Sequence, residues 1–171
     1  FKTYAEELKW LTTDSTRMTW VAKTITDIAT SGNTLILVDR ISAGEMLEKK
    51  IKDSVFVSGS TKNMDRKEQY DEISTATNKV IIATYGVAAV GINIPRIFNL
   101  VLIEPGKSFV RVIQSIGRGI RKAEDKDSVQ IWDITSSCKF AKRHLGARKK
   151  FYKEANYPYN IEKINYENPY T

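Results

Sequence analysis

The chain has 171 residues, 42% hydrophobic and 27% charged, a length suited to one domain around one core and a composition that points to neither a disordered nor a membrane protein. Its formal charge of +7 attracts polyanions, no apolar run approaches the ~20 residues of a spanning helix, and no signal peptide is visible. A lone Cys138 excludes an internal disulfide and a cysteine-cluster metal site and fits a reducing compartment, while the single His144 leaves little material for a histidine triad or zinc site, so no metal site is expected.

Phe1 opens directly into a helical pattern, from which a piece of a longer protein is expected. Thr3 with Glu6 forms the pattern of a capping box before a first helix. Asp14 can cap a second, in which Met18, Val21, Ile25 and Ile28 recur at helical spacing, and Gly32 is placed to stop it. This leading segment is expected over 1–32, with the core over 33–135. The apolar run Thr34–Val38 predicts a buried strand, and Ser42 with Glu45 marks the start of the next helix. A second strand is expected at 54–57, after which Gly59 breaks the chain before a polar helix at about 63–74. Runs at 80–83 and 100–103 predict two more strands, separated by a Gly-containing, proline-ended loop at 85–96. An arginine-bearing helix follows, then a strand at 129–132. The remainder, 136–171, holds a long basic helix and a tail with Pro158, Pro169 and four tyrosines from Tyr157 onward. Strands alternating with helices predict an α/β domain, a mainly parallel sheet flanked by helices on both faces.

Two surfaces stand out. In the arginine helix, Phe109, Ile113, Ile116 and Ile120 fall on one stripe at ~100° per residue, with Arg111, Gln114, Arg118 and Arg121 roughly opposite. Gly117 and Gly119 each cost roughly 1 kcal/mol against Ala in a helix interior, which suggests close approach of a ligand or another backbone. Arginine suits phosphate because it is permanently charged and forked; a solvated charged face is the other reading. In the basic helix, residues 139–154 carry seven Lys/Arg and one Glu, so the rest of the chain nets only +1. Lys139, Lys142, Arg143, Lys149 and Lys150 could meet nucleic-acid phosphates, with Phe140, Phe151 and Tyr152 stacking on bases; alternatively the face is solvated and the aromatics turn to the core.

Ligands of open α/β sheets bind beyond the carboxyl ends of the strands. The segments there are Asp39 and Arg40, then Ser58, Gly59 and Ser60, then 84–95, and then Pro105-Gly106-Lys107-Ser108. The last imitates a P-loop, which needs Gly-x-x-x-x-Gly-Lys-[Ser/Thr] and a loop whose amides surround phosphates. Val101 occupies the first glycine position, inside the strand. No acidic pair follows an apolar strand to hold magnesium, since Asp71-Glu72 lies in a polar helical stretch. The chain has phosphate-sensing arginines and no means of holding a nucleotide alone.

Gln114-x-x-Gly117-Arg118-x-x-Arg121 resembles motif VI of superfamily 2 helicases, and 83–95, from Ala83-Thr84 through Gly91 and Asn93 to Pro95, resembles their motif V. Residues 34–40 are similar to motif IV and 59–66 to motif IVa, in the family's order and spacing. The resemblance covers roughly 34–133, the second RecA-like motor domain, and leans toward the phage recombination helicases. Asn93 where many members carry Asp, and an extra residue between Thr84 and Gly91, argue against the DEAD-box RNA helicase branch.

The resemblance implies a three-layer RecA-like fold and the C-terminal motor domain of an ATP-dependent DNA helicase or branch-migration translocase. By it, Arg121 is the finger on the γ-phosphate, Arg118 assists, and Gln114 orients the cleft. Gly91, Asn93 and Gly117 lie on the nucleotide side, the first two coupling it to the strand. Thr84 and the turn of Ser58, Gly59 and Ser60 contact strand phosphates, with Arg40 and Arg66 adding charge there. ATP and Mg2+ are held mainly by an N-terminal RecA-like domain of the same protein, so this portion alone is expected to be inactive. The expected partner is DNA, branched or in an RNA:DNA hybrid, without a membrane. The expected location is the cytoplasm, that of the bacterial host if phage-encoded. Other readings are a non-catalytic nucleic-acid-binding module of the same fold, half of an RNA helicase, and a Rossmann-type dinucleotide enzyme. The last lacks Gly-x-Gly-x-x-Gly after any strand.

Overall fold

The computed structural model describes residues 1–58, 78–89, 96–106, 109–110, 112–114 and 129–165. Helices α1 (Tyr4–Thr13) and α2 (Ser15–Ile28) start where the sequence places their caps. Thr3 Oγ1 accepts from the Glu6 amide at 3.2 Å, and Asp14 accepts from the Arg17 amide at 2.9 Å. Glu6 completes its side of the box on the Lys2 amide rather than on Thr3. A 3-10 turn, Ala29–Ser31, then delivers the chain to Gly32.

Five parallel strands follow: β1 (Thr34–Val38), β2 (Val55–Val57), β3 (Val80–Thr84), β4 (Asn99–Ile103) and β5 (Gln130–Ile134), in the spatial order β2-β3-β1-β4-β5. Every residue of the central strands β1 and β4 is buried, as expected of a parallel sheet covered on both faces. Alternate side chains divide between two cores. Leu35, Leu37, Ile81, Ala83, Leu100 and Leu102 join Phe109, Val112, Ile113 and Tyr152 on one face. Ile36, Val38, Ile82, Val101 and Ile103 join Met18, Val21 and Ile25 of α2 and Ala43 and Leu47 of the next helix on the other. Helix, sheet and helix therefore make three layers.

Three local expectations need correction. Helix α3 (Ile41–Lys50) begins immediately after β1, with Arg40 as an N-cap that makes no side-chain cap bond, so Ser42 and Glu45 form no capping box. Arg40 keeps extended backbone while its carbonyl accepts from the Gly44 amide, which starts the helix one residue ahead of Ser42. The expected loop at 85–96 opens as a short helix, α4 (Tyr85–Ala89), because Thr84 Oγ1 accepts from the Val87 amide and Val87 and Ala88 are buried. β5 runs two residues past its expected end, to Ile134 opposite Ile103. The last helix, α5 (Lys139–Glu154), lies within the expected basic segment. The polar helix expected at 63–74 is outside the described residues.

Gly32 has φ +148°, and a Cβ there would lie 2.7 Å from the Phe98 ring. Gly32→Ala is expected to destabilise the fold by about 1–3 kcal/mol, through backbone strain and displacement of that ring. A urea midpoint equal to wild type would refute this account of the turn.

Candidate functional site

Because all five strands are parallel, their carboxyl ends share one edge, along which the sheet order sets Ser58, Thr84, Asp39 with Arg40, Glu104 and Thr135. Thr84 lies in register with Val38 on the neighbouring strand. Its hydroxyl already caps α4, so it can offer a ligand only its proton or its second lone pair. Ser58 is buried. Arg40 is 30% exposed and donates through Nε to Asp39 Oδ2 at 2.9 Å, a pairing of the strength of ordinary surface ion pairs. The other Asp39 oxygen is buried and has no hydrogen-bond partner among the described residues.

Beyond β4, the described part of the P-loop imitation is Pro105 and Gly106. Val101 is fully buried within the strand, in register with Ile36 and Trp132. The Tyr4 hydroxyl lies so near Gly106 that a Cβ there would come within 2.8 Å of it. Burial, together with Asp39 and Glu104, holds the Tyr4 phenol above its ordinary pKa. Among the described residues no group of three or more His, Cys, Asp or Glu could hold a metal ion. Val101 in the first glycine's place and Tyr4 against Gly106 do not fit a P-loop cradle at residues 101–106. The helical residues 109–110 and 112–114 bury Phe109, Val112 and Ile113 and leave Gln114 exposed.

Two buried arginines converge on the same edge. Arg17 of α2 donates to Glu104 Oε1 at 2.6 Å and to the Leu11 carbonyl at 2.7 Å, and Thr135 donates to Glu104 Oε2 at 2.9 Å. Glu104 itself has φ +44°, with its amide bonded to the Ile134 carbonyl. Burial pushes its carboxyl up to about 7, against the opposing pull of Arg17, the Thr135 hydroxyl and Arg148. Arg148 of α5 donates through Nε and Nη2 to Asp133 at 2.7 and 2.9 Å and through Nη1 to the Pro105 carbonyl at 2.8 Å. The Tyr152 hydroxyl adds a bond to Asp133 at 2.7 Å, and burial pushes that phenol well above its ordinary pKa.

The basic helix is thus two-sided. Arg148 leaves the surface patch: its side chain is 2% exposed, and the charge counted there from sequence is internal. Lys139, Lys142, Arg143, Lys150 and Lys153 are exposed and Lys149 is half-buried. Tyr152 and Phe151 pack on the core rather than standing free to stack on bases. Phe140 lies between Lys139 and Arg143 and against Tyr4. At the helix's amino end, the buried Glu7 of α1 accepts from the amides of Phe140 and Ala141 at 2.9 and 2.8 Å.

Residues 16–123, more than half of the chain, match the model of the helicase conserved C-terminal domain. The chain belongs to that family. The ATP-dependent DNA helicase uvsW of Enterobacteria phage T4 is 30% identical over 155 residues, covering 88% of this chain and 31% of its own length. The putative helicase 22 of a Sulfolobus islandicus filamentous virus is 31% identical over 104 residues, 58% of this chain and 18% of that protein. This helicase C-terminal domain thus spans a third or less of either relative. The crystal structure of T4 UvsW superimposes with a TM-score of 0.80 at 23% identity, over 96% of this chain and 38% of that one. That of S. cerevisiae Dbp5 bound to RNA and ADP BeF3 gives 0.60 at 19%, over 87% and 39%. The fold is the RecA-like fold of the second domain of superfamily 2 helicases.

Of the residues singled out by sequence in this helicase domain, Gly59, Ser60, Arg66, Gly91, Asn93, Gly117, Arg118 and Arg121 lie outside the described residues. Sequence reading missed Glu7, Arg17, Glu104 and Asp133. A faint signal existed for Arg17, a charge beside Met18 on an apolar stripe, and for Glu104, directly after a wholly apolar strand. No descriptor of sequence pairs them.

Glu104 also supplies a pH dependence. A carboxyl raised from 4.5 to about 7 by folding binds its proton more tightly in the native state, so its contribution is complete below pH 4.5 and is lost as pH rises through 7. Glu104→Gln cannot titrate. Between pH 5 and 8, wild type is expected to lose up to about 3 kcal/mol relative to that variant. Parallel stability curves for the two proteins over this range would contradict the assignment.

Proposed function

We propose that this domain is the C-terminal motor half of an ATP-dependent DNA helicase or branch-migration translocase. The observation that carries the proposal is the division of labour on the segment after β4. Its inner face, Phe109, Val112 and Ile113, is locked in the core, while Gln114 faces out and the chain continues to Arg118 and Arg121. The P-loop imitation beside it has a buried strand valine, Val101, in the first glycine's place, so ATP with Mg2+ belongs mainly to an N-terminal RecA-like domain. This domain then contributes Arg121 to the γ-phosphate, with Arg118 assisting, Gln114 orienting the cleft, and Gly91, Asn93 and Gly117 lining it.

Charge spreads over the phosphoryl oxygens during hydrolysis, and an arginine delivered from a second domain stabilises it without holding the ground state. Nucleotide binding closes the two domains and hydrolysis reopens them. Thr84, the Ser58-Gly59-Ser60 turn, Arg40 and Arg66 hold strand phosphates, an interaction that reads no sequence. The outer face of α5 adds Lys139, Lys142, Arg143, Lys149 and Lys150. DNA, branched or hybridised to RNA, is the substrate in this reading, which draws support from the similarity to a phage DNA helicase.

In the full-length protein, Arg121→Ala is expected to lower DNA-stimulated ATP turnover by about 10³ to 10⁵-fold while ATP affinity changes little. Turnover near wild type would remove the finger role. Reversing Lys142, Arg143, Lys149 and Lys150 to Glu is expected to weaken duplex binding and reduce the slope of log K against log salt by ~0.9 for each phosphate that is no longer neutralised. An unaltered slope would make that face merely solvated, and tighter binding to RNA than to DNA would transfer the reading to an RNA helicase.

A further inference from the structure

A run of aromatic rings leads out of the core at the carboxyl end of α5 and finishes in solvent. Inside, the Phe109 ring meets Phe151 and Tyr152 edge-on at 5.3 and 5.4 Å between centroids. Beyond α5 a Schellman cap turns the chain back. The Asn156 amide donates to the Lys153 carbonyl at 3.2 Å and the Tyr157 amide to the Tyr152 carbonyl at 2.8 Å, with Asn156 in the left-handed region at φ +59°. That cap seats Tyr157 against Phe151 at 6.1 Å between centroids. Pro158 restricts the residue before it to extended backbone, and Tyr159 then returns onto Tyr152 at 5.9 Å. Both outer rings nevertheless stay open to solvent, Tyr157 at 43% and Tyr159 at 47% exposure. Phe151 and Tyr152, which the sequence offered for stacking on bases, belong to the core, and the rings that stand outside it are those of the tail.

Their surroundings are basic. Lys149 is the i, i+3 neighbour of Tyr152 on α5, Lys150 is exposed next to it, and Lys153 lies in the turn that the cap closes. An apolar protein partner is the competing occupant, since Ile161 and Ile164 further along the tail are exposed too. Protein interfaces, however, deplete lysine, whereas a site for an unpaired strand combines lysines along the backbone with rings on which bases stack. Bases inside a duplex are covered on both faces by their neighbours, so an exposed ring can reach only an unpaired or terminal base. Two residues of extended chain separate the tyrosines by ~6 Å, against roughly 3.4 Å between stacked bases, a spacing that suits bases drawn apart rather than a continuous stack. We infer that Tyr157 and Tyr159 form a stacking site for the bases of an unpaired nucleic-acid strand. For its phosphate contacts the site rests on the reading of α5 as a strand-facing helix, and it adds a contact with bases that selects no sequence, because every base has a π-face.

The test uses the full-length protein, wild type beside the pairs Tyr157→Ala/Tyr159→Ala, Tyr157→Phe/Tyr159→Phe and Lys149→Gln/Lys153→Gln. Each is titrated against a labelled oligo-dT strand of about 16 nucleotides and an abasic strand of the same length, and its Tm is recorded. The abasic strand keeps the phosphates and removes the bases. The Ala pair is expected to weaken binding to oligo-dT about 10- to 100-fold and binding to the abasic strand less than about threefold, with the slope of log K against log salt unchanged. The Phe pair keeps both rings and should bind oligo-dT within about threefold of wild type. If the Ala pair does not fold, Tyr157→Leu/Tyr159→Leu keeps apolar bulk over the cap without a π-face, and the same selective loss is expected of it. Equal affinity of wild type and the folded Ala or Leu pair for oligo-dT, equal losses on both strands, or a Phe pair as weak as the Ala pair overturns the inference. If the Lys pair keeps the wild-type salt slope while the ring variants lose base-dependent affinity, the phosphate reading of α5 falls and the stacking site stands. A wild type that binds neither strand overturns both.

Discussion

The architecture depends on how two buried arginine–carboxylate pairs meet at the carboxyl end of β4. Arg17 with Glu104 and Arg148 with Asp133 are deep enough that their attraction is weakly screened, yet the arginines donate further to the Leu11 and Pro105 carbonyls and the carboxylates accept from the Thr135 and Tyr152 hydroxyls, which makes such burial tolerable. Removing one partner of such a pair typically costs about 3–5 kcal/mol, because the other charge is left without compensation. The pairs therefore join the two outer layers to the sheet at one place. Glu7 extends the connection by capping the amino end of α5 from α1, so the first and last helices meet directly as well as through the core.

That arrangement has a consequence for the ligand edge. A doubly wound sheet ordinarily offers its crevice beside the central strand to a ligand. Here the crevice beside β1 and β4 is taken by groups from α1, α2 and the β4 loop, with Tyr4 against Gly106 and Glu104 turned inward on Arg17. Among the described residues, Thr84 and Arg40 lie at the β3 and β1 ends of that edge, and Gln114, beyond β4, is exposed.

The basic helix illustrates how one element serves both packing and charge. Its inner residues Ala141, Arg148 and Tyr152 are buried while the exposed lysines follow the opposite side. Charge on the outside is kept apart from the aromatic cluster by the helical period alone.

The five strands were legible from the sequence because a parallel sheet covered on both faces demands nearly uninterrupted apolar runs, and Thr34–Val38 and Asn99–Ile103 supply them. The first two helices were legible because Thr3 and Asp14 cap locally, within three residues of their partners. Family motifs were legible because their spacing is covalent. Tertiary structure alone decided that Ser42 would not cap, that Tyr85 begins a helix, that Arg148 belongs to the interior, and that Arg17 answers a carboxylate 87 residues away. The physical reason is range. Propensity, capping and periodicity act over a few residues and can be read along the chain, whereas the partner that makes a buried charge tolerable is chosen by packing between layers.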